Sequence, residues 1–195
     1  MTKITNYFET SSKNISQLQK HEKEIEEICK AIIECKNSKN KILVGGNGGS
    51  CSDAEHFTGE LQCTYKASNR EPVSAISLAS LPAALTAWSN DFGFLTYFKR
   101  QVQAHGNEND ILFLISTGGG NEKNGASMSL VEAAREGKKR NMKIISLIGK
   151  SGGILKDISD IVVHVENDVT SFIQEAHISI LHCICEILDD QLTKK

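Results

Sequence analysis

Proline is nearly absent from this chain: only Pro72 and Pro82 occur. With so few breaks, little in the sequence forces a domain boundary, and no internal repeat or low-complexity linker supplies one. Long hydrophobic runs are missing as well. No apolar stretch approaches the roughly 20 residues needed to cross a bilayer, which argues against a membrane-spanning helix and a membrane partner. A dominant charge sign is also lacking. Lys and Arg number 22 against 24 Asp and Glu, a formal net charge of −2, so no basic field recruits nucleic acid. The short basic run Lys138-Lys139-Arg140 reads as a solvated helix end. The six cysteines (Cys29, Cys35, Cys51, Cys63, Cys183 and Cys185) form no CxxC pair. The polar opening from Thr2 to Lys13 lacks the apolar centre of a signal peptide. Reduced thiols in a cytoplasm are the economical expectation.

What is present is ordinary globular composition, 39% hydrophobic and 24% charged over 195 residues, enough for one domain with its own core. We read residues 1–195 as a single domain, with a helical segment over 1–37 and an α/β core over 40–190. Ile15, Leu18, Ile25, Ile28, Ile32 and Ile33 recur at helical spacing. Asn37-Ser38-Lys39-Asn40 ends that helix. Five short apolar runs follow, at 42–44, 73–78, 111–115, 144–148 and 161–165. Helical stretches separate them. Near-continuous apolar strands alternating with helices predict a parallel sheet covered on both faces. Ligands of such sheets sit outside the carboxyl ends of the strands.

Two loops at those ends draw attention. The first run leads into Gly45-Gly46-Asn47-Gly48-Gly49-Ser50, with a helix expected from Asp53. It is neither a Walker loop nor a GxGxxG in register. The third run leads into Ser116-Thr117-Gly118-Gly119-Gly120, then 121–126, then a helix from about Ser127. Hydroxyls and flexible backbone before a helix suit a phosphate monoester. Ser127 equally fits an N-cap. The fourth run ends in Gly149-Lys150-Ser151-Gly152-Gly153, compatible with a turn and little more. Two such loops on neighbouring strands suggest a phosphorylated or polyhydroxylated small molecule. No acidic residue marks a ribose position.

Acid–base and metal candidates lie on the flanking helices. His56 and Glu60 are four apart and share a helix face, which suits joint metal ligation or proton transfer at one substrate. A plain surface His–Glu pair is the bland alternative. In the C-terminal helix Gln174, Glu175, His177 and His182 stand among aliphatics. At about 100° per residue, Glu175 and His182 fall about 20° apart and Gln174 and His182 about 80° apart. Periodicity alone therefore pairs Glu175 with His182. A histidine amid Ile and Leu is more often a satisfied core residue. Cys183 and Cys185 read as core fillers.

The ordered motifs together resemble a known family. Gly46-Asn47-Gly48-Gly49-Ser50, Asp53-Ala54, His56-Phe57, Asn90-Asp91-Phe92-Gly93, Ile115-Ser116-Thr117, Gly149-Lys150 with Gly152-Gly153, and Ile173-Gln174-Glu175 with His177 are similar to the phosphoheptose isomerases of the sugar-isomerase (SIS) fold, across about residues 40–190. The resemblance implies a three-layer α/β/α, flavodoxin-like fold with a five-stranded parallel sheet and an N-terminal helical extension. It implies a homotetramer with sites at subunit interfaces, and one zinc per subunit held by His56, Glu60, Gln174 and His182. It implies aldose–ketose isomerisation of sedoheptulose 7-phosphate to D-glycero-D-manno-heptose 7-phosphate through an enediol, a step of heptose supply for surface polysaccharide. Glu60 would be the base and His182 the partner acid. Asn47, Gly48, Gly49, Ser50, Asn90, Asp91, Ser116, Thr117, Gly118, Ser127 and Gln174 would bind substrate.

Two departures bear on the substrate. The family's phosphate loop reads Ser-Thr-Ser-Gly-x-Ser, whereas here Ser116-Thr117 is followed by 118–123 before Asn124-Gly125-Ala126-Ser127. We read this as a six-residue insertion that keeps Ser127 as the final serine. The family's Arg four residues after the Glu is Thr64 here, leaving Lys66, Lys123 or a neighbouring subunit to compensate. The alternatives are an isomerase of a different sugar phosphate and a non-catalytic SIS module that binds protein partners. Retention of all four ligand-type residues argues against the second.

Overall fold

The computed structural model describes residues 1–193. Its centre is a five-stranded sheet, all parallel: β1 (Ile42–Gly46), β2 (Ala75–Ser77), β3 (Ile111–Ser116), β4 (Lys143–Gly149) and β5 (Ile161–Val165), in the order β2-β1-β3-β4-β5. This is the doubly wound order whose direction reverses beside β1 and opens a crevice there. The register places Gly46 opposite Ile115 and Ser116 opposite Ile148. The carboxyl ends of β1, β3 and β4 are therefore level, and their loops are neighbours.

Alternation along each buried strand feeds two cores. Ile42, Val44, Phe113, Ile115, Ile145 and Leu147 pack under helices α2 (Glu22–Asn37), α3 (Gly49–Gln62) and α8 (Thr170–Leu192). Leu43, Leu112, Leu114, Ile144 and Ile148 pack under α5 (Tyr97–His105), α6 (Met128–Lys139) and α7 (Gly153–Ile158). Helix α4 (Pro82–Phe92) buries none of its residues fully. The N-terminal helix α1 (Lys3–Ser16) is tied to α8 by polar contacts and buries only Ser11 and Asn14.

Several sequence boundaries move. The helix expected after the first glycine loop starts at Gly49, not Asp53, because Gly48 adopts φ +57° and turns the chain straight into it. The 73–78 run shrinks to three strand residues, since an edge strand has only β1 to pair with. The N-terminal helix is broken at 17–21 by a 3₁₀ turn. Cys185 is buried as expected, but Cys183 is exposed. The basic run lies at the end of α6, where Lys138 meets Asp160 at 2.5 Å and Arg140 meets Glu136 at 2.9 Å.

Candidate functional site

Helices α3 and α8 run beside each other on one face of the sheet, and their polar positions meet. His56 Nε2 lies 3.1 Å from His182 Nε2 and 3.4 Å from Glu60 Oε1. Tyr65 stacks on the His182 ring at 5.7 Å between centroids. The groove is half open: the His56 side chain is 46% exposed and Glu60 22%.

About two turns before His56 in α3, Gly49 lies against the Gln174 amide, and a Cβ at that position would collide with it. Gln174 therefore reaches the α3 face that carries His56 and Glu60. Glu175, which periodicity favoured, is used elsewhere. Its carboxylate accepts from Tyr7 Oη and Ser11 Oγ, each at 2.5 Å, and so fastens α1. That hydrogen bond, more than the carboxylate's charge, pushes the Tyr7 phenol up. His177 faces the core, fully buried, with neither ring nitrogen satisfied. Burial lowers its pKa to about 4, opposed by the Ile148 backbone. It is a core histidine but not a satisfied one.

The loops at the strand ends complete the surroundings. Asn47 Nδ2 donates to Ser129 Oγ at 3.3 Å. Ser50 is buried, and its N–H closes the turn on Asn47 O at 3.1 Å. Ser116 Oγ lies 3.1 Å from Ser127 Oγ and accepts from Gly119 N–H at 3.0 Å. Thr117 and Gly118 are half-buried beside them. Ser127 does not cap α6 with its side chain: its backbone is left-handed at φ +57° and its hydroxyl turns to Ser116. Residues 121–126 loop out, closed by Asn121 N–H to Ala126 O at 2.9 Å. Leu155 and Ile154 N–H bind the Gly119 and Gly120 carbonyls at 2.8 and 3.2 Å, which holds this loop against the start of α7.

Asn90 and Asp91 are not gathered. Both are exposed at the end of α4 and bond to each other at 2.8 Å. Thr64 Oγ donates to Ala67 O at 3.0 Å. Lys66 does not stand in for the missing arginine: it pairs with Glu186 and lies over the Tyr65 ring.

Sequence reading missed Arg70. It is buried, donates to the backbone carbonyls of Glu60 and Leu61, and pairs with Asp189 Oδ1 at 2.7 Å. It thereby fixes the turn of α3 that bears Glu60. No spacing rule marks it, because its partner lies far along the chain. A cavity of about 500 Å³ at the amino-terminal ends of β3 and β4, lined by Glu34, Lys138 and Lys143 among others, shares no residue with the groove.

The donor set can be tested against a metal. Tetrahedral zinc with ligands at about 2.0–2.1 Å sets its donor atoms about 3.3–3.4 Å apart. The two separations around His56 Nε2, 3.1 and 3.4 Å, are close to that edge. Among the described residues no three His, Cys, Asp or Glu are grouped so as to hold a metal ion by themselves. The fit is therefore one of donor chemistry, two imidazoles, a carboxylate and the Gln174 amide on facing helices, and not of a preformed cage.

The comparisons with known proteins decide the family. The SIS domain model matches residues 6–149. A phosphoheptose isomerase of Campylobacter jejuni is 43% identical over 159 residues, 82% of each chain. The chain belongs to the phosphoheptose isomerase family. A Helicobacter pylori phosphoheptose isomerase is likewise 43% identical, over 84% of this chain and 82% of its own. The solved structure of a phosphoheptose isomerase from Francisella tularensis superposes with a TM-score of 0.89 at 38% identity, covering 97% of this chain and all of that one. The five-stranded parallel sheet, its flanking helices and the N-terminal helical extension are the SIS fold that the motifs implied.

Proposed function

We propose that this protein is an aldose–ketose isomerase that converts sedoheptulose 7-phosphate to D-glycero-D-manno-heptose 7-phosphate. The observation that carries the reading is the convergence of Glu60, His56 and His182 beside the β1 loop, in a chain of this family. An aldose–ketose shift needs one group to take a carbon-bound proton and another to serve oxygen. Glu60 removes the proton at one of C1 and C2 and returns it at the other, through an enediol. His182, stacked on Tyr65, carries the proton between the two oxygens. Arg70 holds the Glu60 backbone in place while this happens. His56, Glu60, Gln174 and His182 would hold a zinc ion. When bound, the ion supplies Lewis acidity that polarises the substrate carbonyl.

The phosphate fits the loop after β3. Ser116, Thr117, Gly118 and Ser127 line it, and the start of α6 favours an anion. Asn47, Gly48, Gly49 and Ser50 face the sugar chain. The looped-out segment 121–126 is the observation that favours a second reading, the same chemistry on another sugar phosphate.

The homotetramer belongs to this proposal, supported by unpartnered apolar side chains. Ile4 and Phe8 on α1 are 71% and 67% exposed, and Phe92 at the end of α4 and Phe94 and Leu95 beyond it are exposed too. In such an assembly Asn90 and Asp91 would serve a neighbouring subunit's groove. A cytoplasmic location is supported by six free thiols. Among the described residues no helix is long and apolar enough to cross a membrane.

The test is direct. Purified protein is incubated with sedoheptulose 7-phosphate, with and without zinc, and aldose formation is followed. Aldose production that zinc restores after chelation is expected. Absence of turnover, with neither zinc retention nor thermal stabilisation by the sugar phosphate, sinks the proposal. Turnover of a different ketose phosphate alone selects the second reading.

A further inference from the structure

Helix α3 presents four positions on one face: Gly49, Asp53, His56 and Glu60. At about 100° per residue they fall within about 60° of one another. The partner helix spans both ends of this face, with Gln174 over Gly49 and His182 beside His56. Asp53 is the rung between, and neither the proton-transfer chemistry nor the four-ligand set uses it. Its Oδ2 is sealed from solvent and has no hydrogen-bond partner. A buried acceptor left without a donor costs about 1–3 kcal/mol, more when charged. Such an atom calls for an explanation, and beside a functional groove a bond completed in another state of the site is one.

His56, three residues on, carries a second ring nitrogen that can donate. Its Nε2 is the inward atom, facing His182 and Glu60. A neutral imidazole that gives its Nε2 lone pair to a cation must carry its hydrogen on Nδ1. Helical side chains lean toward the N-terminus, so the His56 ring leans over the turn that bears Asp53. Residues three apart on a helix have Cβ atoms about 5–6 Å apart, within reach of one another. Burial pushes the Asp53 carboxyl up, and His56 is the group that opposes this.

We propose that Asp53 is a positioning residue whose carboxylate accepts the His56 Nδ1–H when Nε2 ligates a cation in the α3–α8 groove. The proposal rests on the metal-dependent reading above. A carboxylate in this place fixes the tautomer and ring orientation and raises the basicity of the ligand.

Cobalt(II) is the probe, because its absorption reports the ligand field independently of turnover. Metal-free wild type, Asp53→Asn and Asp53→Glu are titrated with Co²⁺ against a competing chelator, and thermal melting of each metal-free chain is recorded. We expect Asp53→Asn to bind Co²⁺ about 10–100-fold more weakly, with an altered absorption band and unchanged metal-free melting. Asp53→Glu should recover part of the affinity. Equal affinity and an identical band in wild type and Asp53→Asn overturn the inference and leave the metal reading standing. Failure of wild type to bind Co²⁺ overturns both. Should Asp53→Asn not fold, ¹⁵N NMR of zinc-loaded wild type decides. A His56 Nδ1–H protected from exchange supports the inference, and one exchanging freely with water overturns it.

Discussion

Helices α3 and α8 are bridged by polar side chains at two places, and the two bridges are built in opposite ways. At Arg70 and Asp189 both partners are buried, 6% and 5% exposed, and ion-paired, although Asp189 Oδ1 accepts no hydrogen bond. Arg70 binds the Glu60, Leu61 and Glu71 carbonyls, and Asp189 Oδ2 accepts from the Lys66 and Ala67 N–H groups at 2.6 and 2.7 Å. At His56, Glu60 and His182 the groups are half exposed and face each other without a full complement of donors. A buried network of paired groups locks a geometry. An unsaturated, accessible one holds its lone pairs for a ligand. Glu60 belongs to both, with its backbone in the closed bridge and its carboxylate in the open one.

The largest effect that probes this contrast is on the open side. Glu60→Gln should cut turnover and solvent-proton exchange at the sugar carbons by about 10²–10⁴-fold, with unfolding free energy within about 0.5 kcal/mol of wild type. Undiminished exchange would remove Glu60 from the chemistry. On the closed side, Arg70→Ala strands Asp189 as a buried charge and should cost about 3–5 kcal/mol in urea unfolding. The paired replacement Arg70→Met with Asp189→Leu should cost much less. If Arg70→Ala is as stable as wild type, the closed bridge is not the lock described here.

His177 is a third polar group on α8, buried but outside both bridges. Its pKa is near 4 in the fold against about 6.5 unfolded. The unfolded chain therefore binds more protons between those values, so stability falls as pH drops from 6.5 toward 4. The loss by pH 4 should be about 3 kcal/mol. His177→Phe should flatten that part of a pH series of melting curves, and an unchanged slope would assign it to carboxylates instead. The smallest effect belongs to Gly49→Ala. The new Cβ meets only the flexible end of Gln174, so stability should shift by no more than about 1 kcal/mol. Displacing that amide should lower kcat/KM by about 10–100-fold. Wild-type kinetics in this variant would remove Gln174 from the site.

Much of the fold was legible because its signals are local. All five apolar runs became strands, since strands buried on both faces must be apolar throughout. His56 with Glu60 was legible because four residues make nearly one helical turn. The start of α3 was misplaced by four residues, because one positive-φ glycine replaced the polar cap that marks most helix starts.

The sequence by itself determined the parallel sheet, the loops at its carboxyl ends and the shared α3 face of Asp53, His56 and Glu60. The strands follow from continuous apolar runs, the loops from the glycines that end those runs, and the shared face from a period of 3.6 residues. Periodicity could not decide that Gln174, which the motif resemblance implied, and not Glu175 faces the groove, and tertiary structure alone decided that Ser127 turns to Ser116 and that Arg70 finds Asp189. Those outcomes depend on how α1, α3 and α8 are rotated against one another. That rotation is set by packing between segments far apart in the chain, and no periodicity within one segment carries it.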